Sequence, residues 1–401
     1  MIVAPGSASR LEMAVHSSVA AVQRVERRLE PFFRPAVNAI FREPSAALVQ
    51  KVINHNRPEV GLALAEEREL PNEAETIDRM IATIAAYMRS KYKPGEYQRG
   101  GNTKTHAIVR AEFVVHDGVP KHLRHGIFAE PKTYRAWVRF SGPGPDSPKD
   151  IDDVGFASIA IKLMGVPGPK LMDDEKETQD FTAVCTPTFV TPDVDANIQL
   201  QTEILKYTPG LYFFRPRSHH LMDLLMQSWW NQTQSNPLDV RYWSCVPYLL
   251  GEGQAMMYSV KPKRRIRTRI PNIPKRPPDN YLREATANTL ASTGVEFDFM
   301  LQVQVDAHRM PIENAAVRWP EKLSPYVPVA TLRIPQQTFD TPAQMAFAHN
   351  LSYNPWHGIP EHRPLGNQSR ARLKMYYELS KLRQSENATP HVEPTGDETF
   401  D

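Results

Sequence analysis

Apolar residues recur at helical spacing over the first hundred residues and then switch to strand-like runs through the middle of the chain. From Ala8 to Arg42, Leu11, Val15, Val19, Val22 and Val25 or Leu29 fall on one stripe, punctuated by Pro31 and Pro35. Docking of this helix on the domain is the plainer reading, with contact to a membrane surface or a partner as the alternative. Thr76 to Tyr92 reads as a second helix. Thr76 is its expected cap, Ile77, Met80, Ile81, Ile84 and Met88 its apolar face, and Lys93-Pro94-Gly95 its stop. Strands are expected from His106 to Val115, ahead of the turn signal His116-Asp117-Gly118, and at Tyr134–Phe140, Ser158–Leu163 and Phe181–Val190. Asn197 to Trp230 is helical with a break at Pro209-Gly210. Ala255–Val260, Val295–Val305 and Val327–Ile334 read as strands, and Gln368–Arg383 as the last helix. The tail from Ser385 is polar and expected to be disordered. The sum is an α+β fold, divided into a helical region (1–100), an antiparallel barrel-centred domain (101–384) and a tail (385–401).

Composition narrows the function classes. In 401 residues the formal net charge is only +3, so no global field for nucleic acid or an anionic surface follows. The dense positive run from Lys261 to Arg269 is most simply a solvated edge blunted by charge; steering of anionic substrates is its functional alternative. It lacks the interleaved aromatics of a nucleic-acid patch, and no nucleic-acid partner is expected. Two cysteines, Cys185 and Cys245, make neither a disulfide framework nor a zinc site and suit a reducing, cytoplasmic compartment. No apolar run of about 18 residues predicts a transmembrane helix, and the first residues lack a secretory pattern.

The residue pair with the most chemistry lies on the last helix. Arg372 and Tyr376 are four apart and share a face, so the guanidinium can lie against the phenol oxygen and favour its phenolate. A helical tyrosinate held by an arginine is what a haem iron takes as a tyrosine axial ligand. Tyr377 faces elsewhere and is not aligned with Arg372.

Further segments extend this into a family resemblance. Thr105-His106-Ala107, Phe113-Val-Val-His-Asp117 and Val138-Arg139-Phe140-Ser141 resemble the distal half of a haem catalase. Asp180-Phe-Thr-Ala-Val-Cys-Thr-Pro-Thr-Phe189, with Asp193 beyond, is similar to the catalase run that carries the distal asparagine. Trp319-Pro320 and Val327-Pro328 resemble the strand before the proximal helix, and Arg372-Leu-Lys-Met-Tyr376 with Arg383 resembles that helix itself. In character the chain is most similar to the small catalase-related proteins and catalase-like allene oxide synthases, without the C-terminal helical domain of large catalases. The resemblance implies haem b, with Tyr376 as iron ligand, Arg372 beside it, and Arg139 and Arg383 on the propionates. It implies a distal His106 that moves a proton between peroxide oxygens, with Ser141 orienting the imidazole and Phe189 and Val184 lining the pocket.

The departures from catalase point away from hydrogen peroxide. Val184 stands where the distal asparagine is expected and offers neither donor nor acceptor. Thr105 stands before His106 where catalases carry valine, and in the allene oxide synthases such a threonine restrains the histidine. Thr103 takes the place of a propionate-binding arginine, with Lys104 or Arg110 as substitutes. Val154 takes the place of an arginine in Asp153-Val-Gly-Phe-Ala157. The expected function is O–O cleavage of hydroperoxides, of fatty acids above all, by peroxidase, isomerase or dehydrase chemistry. A slow catalase or general peroxidase, and a non-catalytic haem-binding protein, are the alternatives. A monomer or homodimer is expected.

Overall fold

The β-rich middle of the chain closes on itself. In a computed structural model that describes residues 2–57, 61–153, 155–216 and 218–400, nine strands form one antiparallel sheet. They are β1 (Thr105–Val115), β2 (Thr133–Ser141), β3 (Ser158–Leu163), β4 (Gln179–Val184), β5 (Tyr242–Trp243), β6 (Tyr248–Leu249), β7 (Ala255–Pro262), β8 (Val295–Val303) and β9 (Val327–Ile334). Their order is β5-β4-β3-β2-β1-β9-β8-β7-β6, and a further β5–β7 pairing, Trp243 with Ser259, closes eight of them into a barrel with β6 attached to β7. Closure leaves the barrel no free edge.

Inward-facing positions are apolar, with aromatic rings at the centre. Phe113, Phe181 and Phe299 meet with ring centroids 5.0–6.1 Å apart, and Tyr258 lies 5.1 Å from Phe299. The interior is therefore filled, and a ligand site must lie on the outside of the wall. Helices cover that outside: α1 (Arg10–Asn56), α2 (Glu73–Lys91), α3 (Val194–Leu205), α4 (Leu221–Ser228), α5 (Tyr281–Ser292), α6 (Pro342–Asn350) and α7 (Asn367–Glu386). α2 packs on α7 through Ile77, Met80, Ile84 and Met88 against Ala371, with Met375 and Leu379 beside them.

The differences from the sequence reading are local. α1 runs on to Asn56, and a reciprocal Ser9–Glu12 capping box starts it. α2 begins at Glu73 after Asn72 in the left-handed region (φ 58°), so Thr76 is not its cap; the Thr76 hydroxyl donates to Asp195 Oδ1 at 3.2 Å. β4 stops at Val184 rather than Val190, because Pro187 has no N–H and Thr186 turns its hydroxyl to the Thr188 carbonyl at 2.7 Å. The polar tail is held against the barrel rather than disordered, because its carboxylates find donors: Glu398 accepts from Trp137 Nε1 at 2.7 Å and Glu393 from the Lys176 and Glu177 amides. Phe400 adds an apolar contact to Trp137, centroids 5.7 Å apart.

Candidate functional site

Strand register brings the expected distal residues together. Thr105 is paired with Ser141, Ser141 with Ser158, Ser158 with Val184 and Val184 with Trp243, so these side chains form one row across the outer wall. The next row is Arg139, Ala160 and Thr182. Ala160, Thr182 and Val184 are small and only half-buried on a wall that is otherwise closed, which leaves a flat platform.

His106 sits at a bulge. The β1–β2 register shifts between Thr105 and Ala107, leaving His106 as the extra residue and re-aiming its ring. The imidazole is 2 % exposed. Burial first, then the positive charges of Lys104, Arg139 and Arg283, depress its pKa to about 3, so the ring is neutral near pH 7. Its Nδ1 lies 3.8 Å from Asp150 Oδ1, which also receives Lys104 Nζ at 2.6 Å, while Asp150 Oδ2 accepts from the Leu282 amide at the start of α5 at 2.8 Å. Nε2 borders a cavity of about 20 Å³, room for one water, lined in part by Gly142, Asp153 and Arg27. A side chain at position 142 would sit 3.4 Å from Nε2 and 2.8 Å from Asp153 Oδ2. Ser141 turns its hydroxyl to Ser158, Oγ to Oγ 3.3 Å, and Asp150 faces Nδ1 of the imidazole. The Thr105 hydroxyl oxygen is taken by Arg139, which donates to it from Nε at 3.0 Å and Nη2 at 2.8 Å.

Arg139 belongs to a cluster of three guanidiniums. It is 2 % exposed and also donates to the Asn102 and Thr103 carbonyls, at 2.8 and 3.1 Å. Arg99 donates to the carbonyls of Ala348, at 2.8 Å, and Leu351; Arg383 donates to those of His349 and Asn350, the latter at 3.2 Å. The free carbonyls at the C-terminal end of α6 thus hold both arginines. Among the described residues none of the three makes an ion pair. Burial and mutual repulsion push Arg139 and Arg383 well below the usual arginine range, and burial lowers Arg99 to about 10. Buried positive charge with no carboxylate partner is costly, on the order of several kcal/mol per ion, unless an anion completes the site. Of the expected substitutes, Lys104 is bound to Asp150, and Arg110 lies over Trp137 and donates to the Gly396 and Glu398 carbonyls. Arg99 is the third arginine instead, placed by Gly100, where a Cβ would strike Ile84 of α2 at 2.6 Å.

On α7, Arg372 is 6 % exposed and its Nη1 has no hydrogen-bond partner. Burial works against its charge, but the phenol of Tyr376, then Tyr248, Cys245 and Tyr258, outweigh burial and raise its pKa. Its guanidinium lies 5.1 Å above the Phe189 ring. Tyr376 is half-buried on this side, whereas the Tyr377 hydroxyl accepts from exposed Lys381, whose ammonium lies over its ring. Val184 and Phe189 join one apolar cluster with Val49, Met226, Trp230 and Trp243, so the end of α1 helps wall the platform. Val154 lies outside the described residues.

Three solved structures share this architecture. A bacterial catalase aligns with a TM-score of 0.51 at 15 % identity, covering 86 % of this chain and 70 % of that one. A fungal catalase aligns at 0.52 and 13 %, with the same coverage, and catalase A from Saccharomyces cerevisiae at 0.51 and 16 %, covering 86 % and 72 %. This is the catalase fold. No family model and no curated protein matches the chain.

The catalase fold resembled in the sequence implies a haem, and the residues present fit one. The orphaned Arg372 Nη1 beneath a half-buried phenol suits a tyrosinate ligand. Three unneutralised guanidiniums suit two carboxylates, and Ala160, Thr182 and Val184 leave a surface without bulky side chains. Tyr376 and Arg383 are on one helix, two turns apart, so α7 supplies both ends of such a site.

A buried ionic knot next to the platform, which the sequence reading missed, helps to hold α7 in place. Lys162 Nζ contacts Glu175 and, at 2.8 Å, Asp180; His357 Nδ1 lies 3.0 Å from Asp180 and its Nε2 3.1 Å from Asp174. Asp180 Oδ2 also accepts from the Asn354 amide at 2.9 Å, and Trp356 donates to Ser369 O at 2.7 Å, tying the 352–359 loop to the first turn of α7. The Lys162 ammonium is one cation of this cluster, beside His357. Burial and Lys162 oppose protonation of His357, but Asp174 and Asp180 prevail and raise its pKa to about 9. The folded value exceeds the unfolded one of about 6.5, so the stabilisation is complete below about pH 6.5 and is lost as pH rises through 9. We expect unfolding titrations to show a loss on the order of 3 kcal/mol between pH 7 and 10 that is absent in His357→Gln; an unchanged alkaline slope in that variant contradicts the assignment.

Proposed function

We propose that this chain is a haem-dependent enzyme that cleaves the O–O bond of hydroperoxides, with apolar organic hydroperoxides of the fatty-acid type as its substrates. The observation that carries the reading is the pairing, on α7, of Arg372–Tyr376 with Arg383 in a cluster of three arginines, Arg139 and Arg383 buried and Arg99 half-buried, that make no ion pair among the described residues. That the solved structures of the same architecture are catalases agrees with it. A haem b held here would supply a redox-active ferric iron to polarise and break the peroxide bond.

The chain's own groups have distinct tasks. Tyr376 would offer its phenol oxygen as the ligand, with Arg372 to stabilise the negative charge. Arg99, Arg139 and Arg383 would bind the haem carboxylates. His106, neutral and with Nε2 facing the small cavity, accepts the hydroperoxide proton and returns it to the leaving oxygen. Asp150, 3.8 Å from Nδ1, stabilises the imidazolium while it lasts. Thr105, clamped by Arg139, fixes the strand end that carries His106.

The wall supports this substrate class. Hydrogen peroxide needs a polar partner, and Val184 and Phe189 supply none; an alkyl chain gains from burial against them and the Trp230 and Trp243 rings at about 25 cal/mol per Å². We expect kcat/KM for a fatty-acid hydroperoxide to exceed that for hydrogen peroxide by about a hundredfold or more. Rapid, sustained oxygen evolution from hydrogen peroxide, with poor turnover of the organic substrate, would instead make the protein a catalase.

A further inference from the structure

α1 is docked with its polar side inward. Glu30, 1 % exposed, accepts from Thr233 N at 2.7 Å and pairs with Arg27 at 3.1 Å; Arg28 pairs with Asp152, Glu12 with Arg215 and Glu43 with Arg318, at 2.7–2.9 Å. Only its last turns bury apolar residues, Ala46 and Val49. The opposite side is an apolar stripe open to solvent. Leu11, Val22, Val25, Leu29, Phe32 and Ile40 lie along it, with Leu11 75 %, Val22 70 % and Phe32 65 % exposed. The positions between them on this side are mainly alanine and serine, with exposed Glu26, one turn from Val22 and Leu29, as the acid at its margin before Glu43. From Leu11 to Ile40 the stripe is about 45 Å long at 1.5 Å per residue. Scattered exposed apolar residues need no explanation, but a continuous band of this length marks a surface that is covered in use.

Charge complementarity selects the cover. Arg10 and Arg24 are exposed and border the stripe on one side. The segment 261–269 presents six exposed basic residues, of which Lys263 is shared with Glu296 and Asp298. Arg265 of that segment lies close enough to Arg42 of α1, together with Arg241 and Arg318, to oppose its charge. Self-pairing of α1 in antiparallel fashion sets the arginine border against its own copy, which is unfavourable. An anionic lipid surface accepts the stripe in its acyl boundary and the arginines and lysines at its headgroups. No helix among the described residues is long and apolar enough to cross a membrane, so the contact is in the plane of the surface.

We propose that α1 and the 261–269 segment together form a docking surface for an anionic phospholipid bilayer. The proposal does not depend on the hydroperoxide reading, and its test measures binding alone. The full chain is sedimented with vesicles of phosphatidylcholine and with vesicles containing about one part in three phosphatidylglycerol. Binding is expected to the anionic vesicles, to fall with salt, and to drop about tenfold or more in Val22→Glu/Leu29→Glu and in Lys263→Glu/Arg265→Glu/Arg267→Glu. Thermal melts of both variants unchanged from the parent establish that the loss is not unfolding. No binding of the parent to anionic vesicles at low salt overturns the proposal, as does binding unaffected by the stripe variant. A concentration-dependent dimer in light scattering that the stripe variant abolishes, without vesicle binding, assigns the stripe to a second copy and also overturns it.

Discussion

Replacing Tyr376 with phenylalanine leaves a folded protein whose haem affinity falls on the order of a hundredfold or more, while Tyr377→Phe leaves haem binding intact. The two tyrosines are neighbours on α7, but only Tyr376 shares a face with Arg372, whose charge its phenol supports against burial. Tyr377 turns to Lys381 at the surface. Loss of one hydroxyl removes little packing, so melting curves of both variants should stay near the parent's. Difference spectra during titration with haemin read the affinities directly. Equal loss in both variants, or in neither, removes Tyr376 from the proposed ligand role.

The second large effect belongs to His106. His106→Gln is expected to lower kcat/KM for hydroperoxide cleavage by about 10²- to 10⁴-fold, the usual worth of a positioned proton carrier, with the haem spectrum retained. Because the folded imidazole titrates near pH 3, below the free value of about 6.5, the parent's kcat/KM should show no histidine titration between pH 5 and 8. The same shift makes the fold acid-sensitive: stability is complete above about pH 6.5 and falls as pH drops from there towards 3, where the buried ring must protonate. His362, whose pKa burial lowers to about 4, acts in the same direction. A rate profile that rises through pH 6–7, or a variant of undiminished rate, contradicts the role given to His106.

The elements carrying strong periodicity were legible in the sequence. The alternation in His106–Val115 and the proximal Arg-x-x-x-Tyr spacing place β1 and α7 within a few residues of where they lie. α5 and α6 were not legible: α5 is short and surface-lying, and α6 sits between proline-rich loops, so tertiary packing decides both. The site divides in the same way. Residues that share a helix face, Arg372 with Tyr376, could be paired by counting, whereas the Thr105–Ser141 pairing depends on register across a long connection. Contacts across long sequence gaps could not. Arg99 reaches Arg139 and Arg383 only because Gly100 lets the chain pass α2, and Arg99-Gly100-Gly101 was the one local hint. Asp150 faces His106 from a separate turn, held by Lys104 and the start of α5. The tail looked unstructured by composition because its ordering comes from donors on β2 and on the 176–177 loop, far away in sequence.

The central claim is that α7 and the arginine cluster build a haem site with a tyrosinate ligand. The absorption spectrum of the purified full chain after reconstitution with haemin tests it most directly. A Soret band with high-spin ferric, tyrosinate-type features at one haem per chain is the predicted result. A spectrum that shows no haem retained after reconstitution and removal of free haemin would contradict it.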